Sequence, residues 1–315
     1  MDDDRRRVEQ ALLSAVTTPD AYLTEIASHL ISAGGKRLRP VFTIVASMVG
    51  NDLPASESAI QGGISCELVH LGSLYHDDVM DESTTRRGVE TVNAKWGNLQ
   101  AILAGDFLLA KASEIAASLG TEVAGLLART IGRLCEGQIE ELRHTYNVAR
   151  PVDSYLSSID GKTASLYSTA ARIGGLVAGH DRDLVESLTA YGTAYGMVFQ
   201  IVDDVLDLTA TDEQLGKPAG HDMEEGVYTL PVLHTLAAGC TAASELGAIL
   251  GKPLDQVERE KVLDIVRSNG GVENAIDRAR AFVDDAERAC DAMPRGSAVD
   301  AMREATTALL ASVSH

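Results

Sequence analysis

The sequence predicts an all-α protein, one large helical bundle. Three observations predict it. Ala, Leu, Glu and Arg are abundant while β-branched alternating runs are rare, a composition that favours helix. Proline is scarce, with 8 among 315 residues, so few helices would be interrupted. Apolar residues recur at three- and four-residue spacing, as in Leu23, Ile26, Ala27, Leu30 and Ile31, the stripe of an amphipathic helix.

The elements follow in chain order. Residues 1–8 contain the run Asp2-Asp3-Asp4-Arg5-Arg6-Arg7, which reads as a frayed, solvated tail. A helix begins after Asp20, with Pro19 ahead of it and Gly34-Gly35 at its end, the punctuation expected of a helix. Periodicity then predicts helices over about 37–50, 55–82, 92–119, 121–145, 152–178 and 182–210, and near 228–238, 254–269, 271–290 and 297–313. Several are long enough for the core of a large bundle. The stretch 211–226, TDEQLGKPAGHDMEEG, is rich in breakers and reads as a polar loop. No linker divides the chain, which predicts a single domain over residues 1–315.

Composition excludes several functions. The formal net charge is −19, from 27 Lys plus Arg against 46 Asp plus Glu, the wrong sign for a general nucleic-acid binder. Cys66, Cys135, Cys240 and Cys290 are far apart and form no CxxC pair. They read as buried thiols of a reducing compartment, with neither a disulfide frame nor a zinc site. No apolar run approaches the ~18 residues of a membrane span, so no transmembrane segment is expected. The charged N-terminus is unlike a secretory signal. The expectation is a soluble cytoplasmic protein.

Two aspartate clusters carry the chemistry. Asp77-Asp78-Val79-Met80-Asp81 and Asp203-Asp204-Val205-Leu206-Asp207 share the pattern DDxxD. With 25 Asp in 315 residues, roughly 0.16 matches are expected by chance. On a helix, residues four apart lie on one face, about 5.4 Å apart along the axis. Asp77 with Asp81, and Asp203 with Asp207, would each form a two-carboxylate claw. Without a cation such a pair repels. Each cluster follows an apolar run, where unpaired charge is costly. One cluster alone could be an acidic solvent face, but two of identical spacing favour metal binding. Oxygen donors suit Mg²⁺ or another hard cation better than zinc. Facing claws could hold several such ions, and a phosphate group would be a natural further ligand.

Cations accompany the claws. Gly34-Gly35-Lys36-Arg37-Leu38-Arg39-Pro40 places three after a glycine pair, and Arg86-Arg87-Gly88 follows the first cluster. Lys162-Thr163 and Lys217 flank the second in sequence. Each alone reads as surface charge, and their combination with the claws points to phosphate. His70 and His76 precede Asp77 by seven residues and one. A lone histidine there is ordinarily a satisfied core residue, and His70, two turns back, is the better pocket candidate.

GGKRLRP, HLGSLYHDDVMDESTTRRG, GDFLLAKA, GKTASL, FQIVDDVLD, LGKPAGHD and TLPVL stand in this order over residues 34–233. In these motifs the chain resembles the trans-type polyprenyl diphosphate synthases. The resemblance implies an isoprenoid-synthase-type bundle around a deep cavity, usually a homodimer. It implies head-to-tail condensation of isopentenyl diphosphate with an allylic prenyl diphosphate, with Mg²⁺. Asp77, Asp78, Asp81, Asp203, Asp204 and Asp207 would bind the metal, with Asp77, Asp81 and Asp203 the most direct. Arg86, Lys162, Thr163, Gln200 and Lys217 would contact the allylic diphosphate. Lys36, Arg39, His70 and Arg87 would hold isopentenyl diphosphate. Among these, Asp77, Asp81, Asp203, Lys162 and Arg86 would be catalytic.

In this family, bulky residues about one turn before the first cluster stop the growing chain. Here Gly72, Ser73 and Val69 are small or modest, and the cluster carries no insertion. Together they imply a long all-trans product, whose expected use is a quinone side chain. One departure stands out: Val227 replaces the lysine common in the family's EGKxTLP segment. Two alternatives remain at this point. A class I terpene cyclase shares one aspartate-rich cluster, but its second metal site normally follows an Asn/Ser/Glu pattern. A non-catalytic prenyl-binding partner subunit would not need intact claws.

Overall fold

The structure, a computed structural model, describes residues 2–50, 54–210 and 219–313. It is all-α, as expected. The helices are α1 (Asp2–Val16), α2 (Ala21–Ser32), α3 (Leu38–Met48), α4 (Glu57–Met80), α5 (Val92–Trp96), α6 (Asn98–Ser118), α7 (Thr121–Arg143), α8 (Val152–Ile159), α9 (Ser165–Val177) and α10 (Arg182–Thr209). Further helices span His221–Glu224, Leu230–Ala237, Thr241–Ile249, Gln256–Ser268, Gly271–Asp291 and Ser297–Ala311. The only strands among the described residues are β1 (Thr85–Arg86) and β2 (Val89–Glu90), a small antiparallel hairpin.

The chain divides into two compact units, each assembled from three stretches. Unit 1 comprises residues 1–131, 166–189 and 293–299; unit 2 comprises 132–165, 190–292 and 300–315.

In unit 1, α4 is the buried core helix. Its residues are apolar or small on nearly every side, so it has no wide polar face to give to water. Ser56 caps it by accepting from the Ala59 amide at 3.1 Å, which satisfies one of the orphan donors of a helix start. α3 and α6 pack along it. Glycine permits the closest approaches. A Cβ on Gly72 would stand 3.0 Å from the Gly105 carbonyl oxygen of α6, and one on Gly174 would stand 2.3 Å from the Thr43 carbonyl oxygen. The Thr43 hydroxyl donates to the Ala170 carbonyl at 3.0 Å, fastening α3 to α9.

In unit 2, α8 and the second half of α10 meet the later helices in one apolar cluster. Tyr155, Ile159, Met197, Ile201, Val205 and Leu208 pack there with Tyr228, Leu230, Val262, Val266 and Ala275. The Tyr228 hydroxyl accepts from the Gly251 amide at 2.7 Å, as a buried phenol requires a partner. A capping box, Asp255 with Glu258, starts Gln256–Ser268.

Three differences from the sequence expectations have local causes. Residues 2–8 are helical, the first part of α1, where a frayed tail was expected. Val8 and Leu12 are buried, and the Arg7 guanidinium donates to the Ala55 carbonyl at 2.8 Å and pairs with Glu57. The expected helix over 92–119 is two helices that meet at Gly97, with φ of 96°. The expected helix over 152–178 is interrupted by a π-turn, Asp160–Ala164, in which the Ser165 amide bonds back to the Asp160 carbonyl. Two further differences stand beside these: Thr241–Ile249 is a helix that the periodicity did not indicate, and Cys135 and Cys240, expected buried, are exposed.

Candidate active site

Asp77 and Asp78 stand in the last turn of α4, and Asp81 is its C-cap. Asp77 is partly buried and Asp81 exposed. A helix C-terminus carries the negative end of the dipole, so two carboxylates there favour a cation. Asp78 turns the other way. Its side chain is 0% exposed, and Oδ1 accepts from Arg86 Nε at 2.5 Å. Burial pushes its carboxyl up, against the opposing pull of Arg86. The structure therefore gives Asp78 and Arg86 to each other, although the sequence assigned one to metal and the other to diphosphate. The Asn93 amide closes the loop, donating to the carbonyls of Asp78 and Ser83 at 3.0 Å each.

The hairpin positions the next cation. Thr85 pairs with Glu90 and Arg86 with Val89, so Arg87 and Gly88 form a two-residue turn. Both have positive φ, 55° and 77°, as a type I′ turn demands. Arg87 is thus held in a conformation that non-glycine residues seldom adopt, a form of strain that concentrates at functional sites. Its guanidinium donates to the carbonyls of Leu30, at 3.2 Å, and Gly34.

The Gly-Gly turn completes a cationic nest in unit 1. A Cβ on Gly35 would stand 2.9 Å from Arg87 Nη1 and 3.1 Å from Arg37 Nη1. Arg37 is buried and structural: it pairs with Glu9 at 2.8 Å and Glu67 at 3.3 Å and donates to the Ile31 carbonyl. Lys36 is exposed. Arg39 lies 4.5 Å over the Tyr167 ring, a cation–π contact. His70 sits on α4 with Arg39, Arg87, Arg86 and Arg37 around it. Burial and these four cations hold its pKa well below the ordinary histidine value, so His70 is a neutral hydrogen-bonding group at pH 7. Cations gathered around a neutral imidazole are an arrangement whose chemistry suits an anion.

Unit 2 holds the other half of the predicted residues. Asp203 is exposed and Asp207 buried, both near the C-terminal end of α10. Asp204 again turns inward. Its Oδ2 accepts from the Tyr155 hydroxyl at 2.5 Å and its Oδ1 from Gln200 Nε2 at 2.8 Å. Burial and the nearby Asp222 raise its pKa well above the usual carboxylate range. The Gln200 carbonyl oxygen accepts from the Thr163 hydroxyl at 2.7 Å. Lys162 pairs with Glu141 at 2.7 Å. Lys162 and Thr163 both belong to the π-turn, a feature common at functional sites. Lys217 lies outside the described residues. Val227 lies in the turn between His221–Glu224 and Leu230–Ala237, where its amide donates to the Asp222 carbonyl at 2.8 Å.

Both clusters follow one plan. The residue beside the first aspartate is tied into its own unit, Asp78 by Arg86 and Asp204 by Tyr155. Among the described residues no three His, Cys, Asp or Glu side chains are gathered closely enough to hold an ion by themselves.

The chain-length positions differ in direction. Val69 is buried. Gly72 faces α6, where an added Cβ would also stand 3.3 Å from Leu109. Ser73 is partly exposed and donates only to its own helix, to the His70 carbonyl at 2.9 Å. Sequence reasoning missed Glu67, Glu141, Arg150 and Tyr155. Glu67 had a signal, as the one charged residue between Glu57 and Asp77 apart from histidine.

The polyprenyl synthetase family model matches residues 20–266. A nonaprenyl diphosphate synthase from Mycobacterium tuberculosis is 39% identical over 272 residues, covering 86% of this chain and 81% of that protein. A heptaprenyl diphosphate synthase component 2 from Geobacillus stearothermophilus is 38% identical, covering 96% and 94%. A crystal structure of geranylgeranyl pyrophosphate synthase from Corynebacterium glutamicum, complexed with calcium and isoprenyl diphosphate, superposes with a TM-score of 0.88. It is 36% identical and covers 100% of this chain and 96% of that one.

Proposed function

The chain belongs to the polyprenyl synthetase family, and from that premise we propose that it joins isopentenyl diphosphate head-to-tail to an allylic prenyl diphosphate, repeating the step to a long all-trans product. The observation that carries this is the unit 1 site: Arg39 and Arg87 gather around a neutral His70, on the helix that ends in the Asp77–Asp81 claw. A prenyl transfer needs just such a second anion site beside a metal site.

The residues take these roles. Lys36, Arg39, His70 and Arg87 hold the isopentenyl diphosphate. Lys162, Thr163 and Gln200 orient the allylic diphosphate, with Lys217 added from the sequence. Arg86, fixed by Asp78, has further donors, which the resemblance assigns to the allylic diphosphate. Asp77, Asp81, Asp203 and Asp207 would hold Mg²⁺, the divalent metal that suits these oxygen donors. When bound it neutralises the charge that grows on the departing diphosphate. The allylic C–O bond breaks, the isopentenyl double bond supplies the electrons of the new C–C bond, and a proton leaves to the released diphosphate. Thus no side-chain base is required, and Lys162 acts by charge alone. Holding both substrates together removes much of the entropic barrier.

Four further readings belong to this proposal. Residues 1–315 act as one catalytic domain, supported by a chain that passes repeatedly between the two units. The protein works as a homodimer, supported by Leu99 and Leu103 of α6, 75% and 66% exposed. It works in the cytoplasm, supported by four free cysteines; no helix among the described residues is long and apolar enough to cross a membrane. A quinone side chain is the proposed use of a long product, supported by resemblance.

The test is direct. Purified protein with Mg²⁺, an allylic diphosphate and labelled isopentenyl diphosphate should yield an extractable prenyl product whose length mass spectrometry reads. No product from any primer overturns the reading. A second reading has one specific support, the relative named as component 2: the chain would then need a partner component. Turnover by the protein alone excludes it.

A further inference from the structure

Two buried residues of unit 2, Tyr155 and Arg150, have no part in the roles above, yet both stand beside the second aspartate cluster. Tyr155 is 2% exposed and donates to Asp204 at 2.5 Å. Asp204 is held on its other oxygen by Gln200, and Gln200 in turn by Thr163. Arg150 is 4% exposed, with its guanidinium carbon 5.6 Å from the Tyr155 ring centroid. Its Nη1 reaches the Tyr228 carbonyl at 3.5 Å, while its buried Nε and Nη2 meet no hydrogen-bond partner among the described residues.

A buried guanidinium with unsatisfied donors is expensive to keep. The acidic groups around it are Glu141, the Tyr155 phenol, Asp204 and Glu140. Arg150 therefore acts through its field and its place over the ring. Both effects bear on one bond, that between the phenol and Asp204. That bond fixes the rotation of α10 exactly one residue from Asp203 and three from Asp207, and it fixes Gln200 one turn before. Thr163, at the far end, belongs to the π-turn that carries Lys162.

We propose that Tyr155, backed by Arg150, is a positioning residue for the proposed prenyl transfer: it locks Asp204 so that the Asp203–Asp207 claw and Thr163 keep one geometry for the metal-bound allylic diphosphate. The proposal rests on the prenyl-transfer reading only for its substrate. A network that merely stabilised unit 2 would behave differently under the following test.

Tyr155→Phe keeps the ring and removes the hydroxyl. Calorimetric titration with Mg²⁺ and inorganic diphosphate, with no prenyl substrate present, should show affinity weakened about tenfold. In turnover, the Mg²⁺ concentration for half-maximal rate and the KM for the allylic substrate should rise by about the same factor. The KM for isopentenyl diphosphate should stay within about twofold, since its proposed contacts are in unit 1. Arg150→Lys keeps the charge but loses the guanidinium over the ring, and should shift diphosphate affinity in the same direction by a smaller factor. A Tyr155→Phe protein with a lowered melting temperature but wild-type Mg²⁺–diphosphate affinity overturns the proposal. If Tyr155→Phe does not fold, Arg150→Lys decides by the same titration, and an unchanged affinity overturns it. Wild-type protein that binds Mg²⁺–diphosphate but makes no prenyl product overturns the prenyl-transfer reading alone, because the titration still tests Tyr155.

Discussion

Replacing Gly72 by phenylalanine should unfold the protein, whereas replacing Ser73 by phenylalanine should shorten its product. The two residues are adjacent and both small, but they point in different directions. A Cβ on Gly72 would lie 3.0 Å from the Gly105 carbonyl oxygen and 3.3 Å from two atoms of Leu109. Even alanine there forces α4 and α6 apart by a few tenths of an ångström. Overpacking of this kind costs about 1–3 kcal/mol, offset by about 1 kcal/mol for the better helix propensity of alanine. The net for Gly72→Ala is about 1 kcal/mol, or about 2–4 °C in melting temperature. A whole phenyl ring directed at backbone exceeds about 4 kcal/mol and removes most of the stability of a typical domain. Ser73 is partly exposed and gives up only a bond to its own helix, a loss of about 1 kcal/mol. Thermal melts followed by circular dichroism, with mass spectrometry of the extracted product, read both effects. A Gly72→Phe protein that melts like wild type and makes a shorter product would refute the reasoning, because position 72 would then open into the substrate cavity.

Three further outcomes are expected. Gly35→Ala should displace the Arg87 and Arg37 guanidiniums packed on that position, raising the KM for isopentenyl diphosphate about tenfold while the allylic KM changes little; steady-state kinetics with each substrate varied checks this. His70 has a depressed folded pKa, so below the ordinary value of 6.5 the unfolded chain binds a proton that the folded protein does not. Stability should therefore fall as pH drops through and below that value, and denaturant titrations of His70→Gln should show a shallower dependence. Chelation of divalent metal should abolish turnover and leave the far-ultraviolet circular dichroism unchanged, since the claws add donors to helices that packing already holds.

Much of the architecture was legible because α4 and α10 carry long apolar patterns that end in acids. The hairpin was not, since two-residue strands are too short to alternate. The run Asp2 to Arg7 read as tail because its charges look solvated in sequence. In the fold they pair across one turn, Arg7 with Asp4 at 3.2 Å, and Arg7 also reaches the distant Ala55. At the site, spacing paired Asp77 with Asp81 and Asp203 with Asp207, because residues four apart share a face wherever a helix forms. It could not divide Asp78 and Asp204 from their neighbours. Their partners lie at sequence separations of 8 and 49 residues, and only tertiary contact brings them in. Arg37 and Arg39 look equivalent in the sequence, but the positive φ of Arg37, 52°, turns it towards Glu9 and Glu67.

The π-turn at Asp160–Ala164 has a consequence for how this region can change. One extra residue is held within a helical path, and the path is pressed tightly from outside: a Cβ on Gly161 would stand 2.8 Å from the Arg133 carbonyl oxygen, and one on Gly137 would stand 2.5 Å from the Lys162 amide. Point substitutions leave the phase of that path intact. Deleting a single residue would restore the regular hydrogen-bond ladder and turn Lys162 and Thr163 by about 100° about the axis. The segment would become a better helix and lose the direction of the Lys162 and Thr163 side chains. Substitution and deletion therefore explore different landscapes here, and only the second can silence the pair without altering either residue.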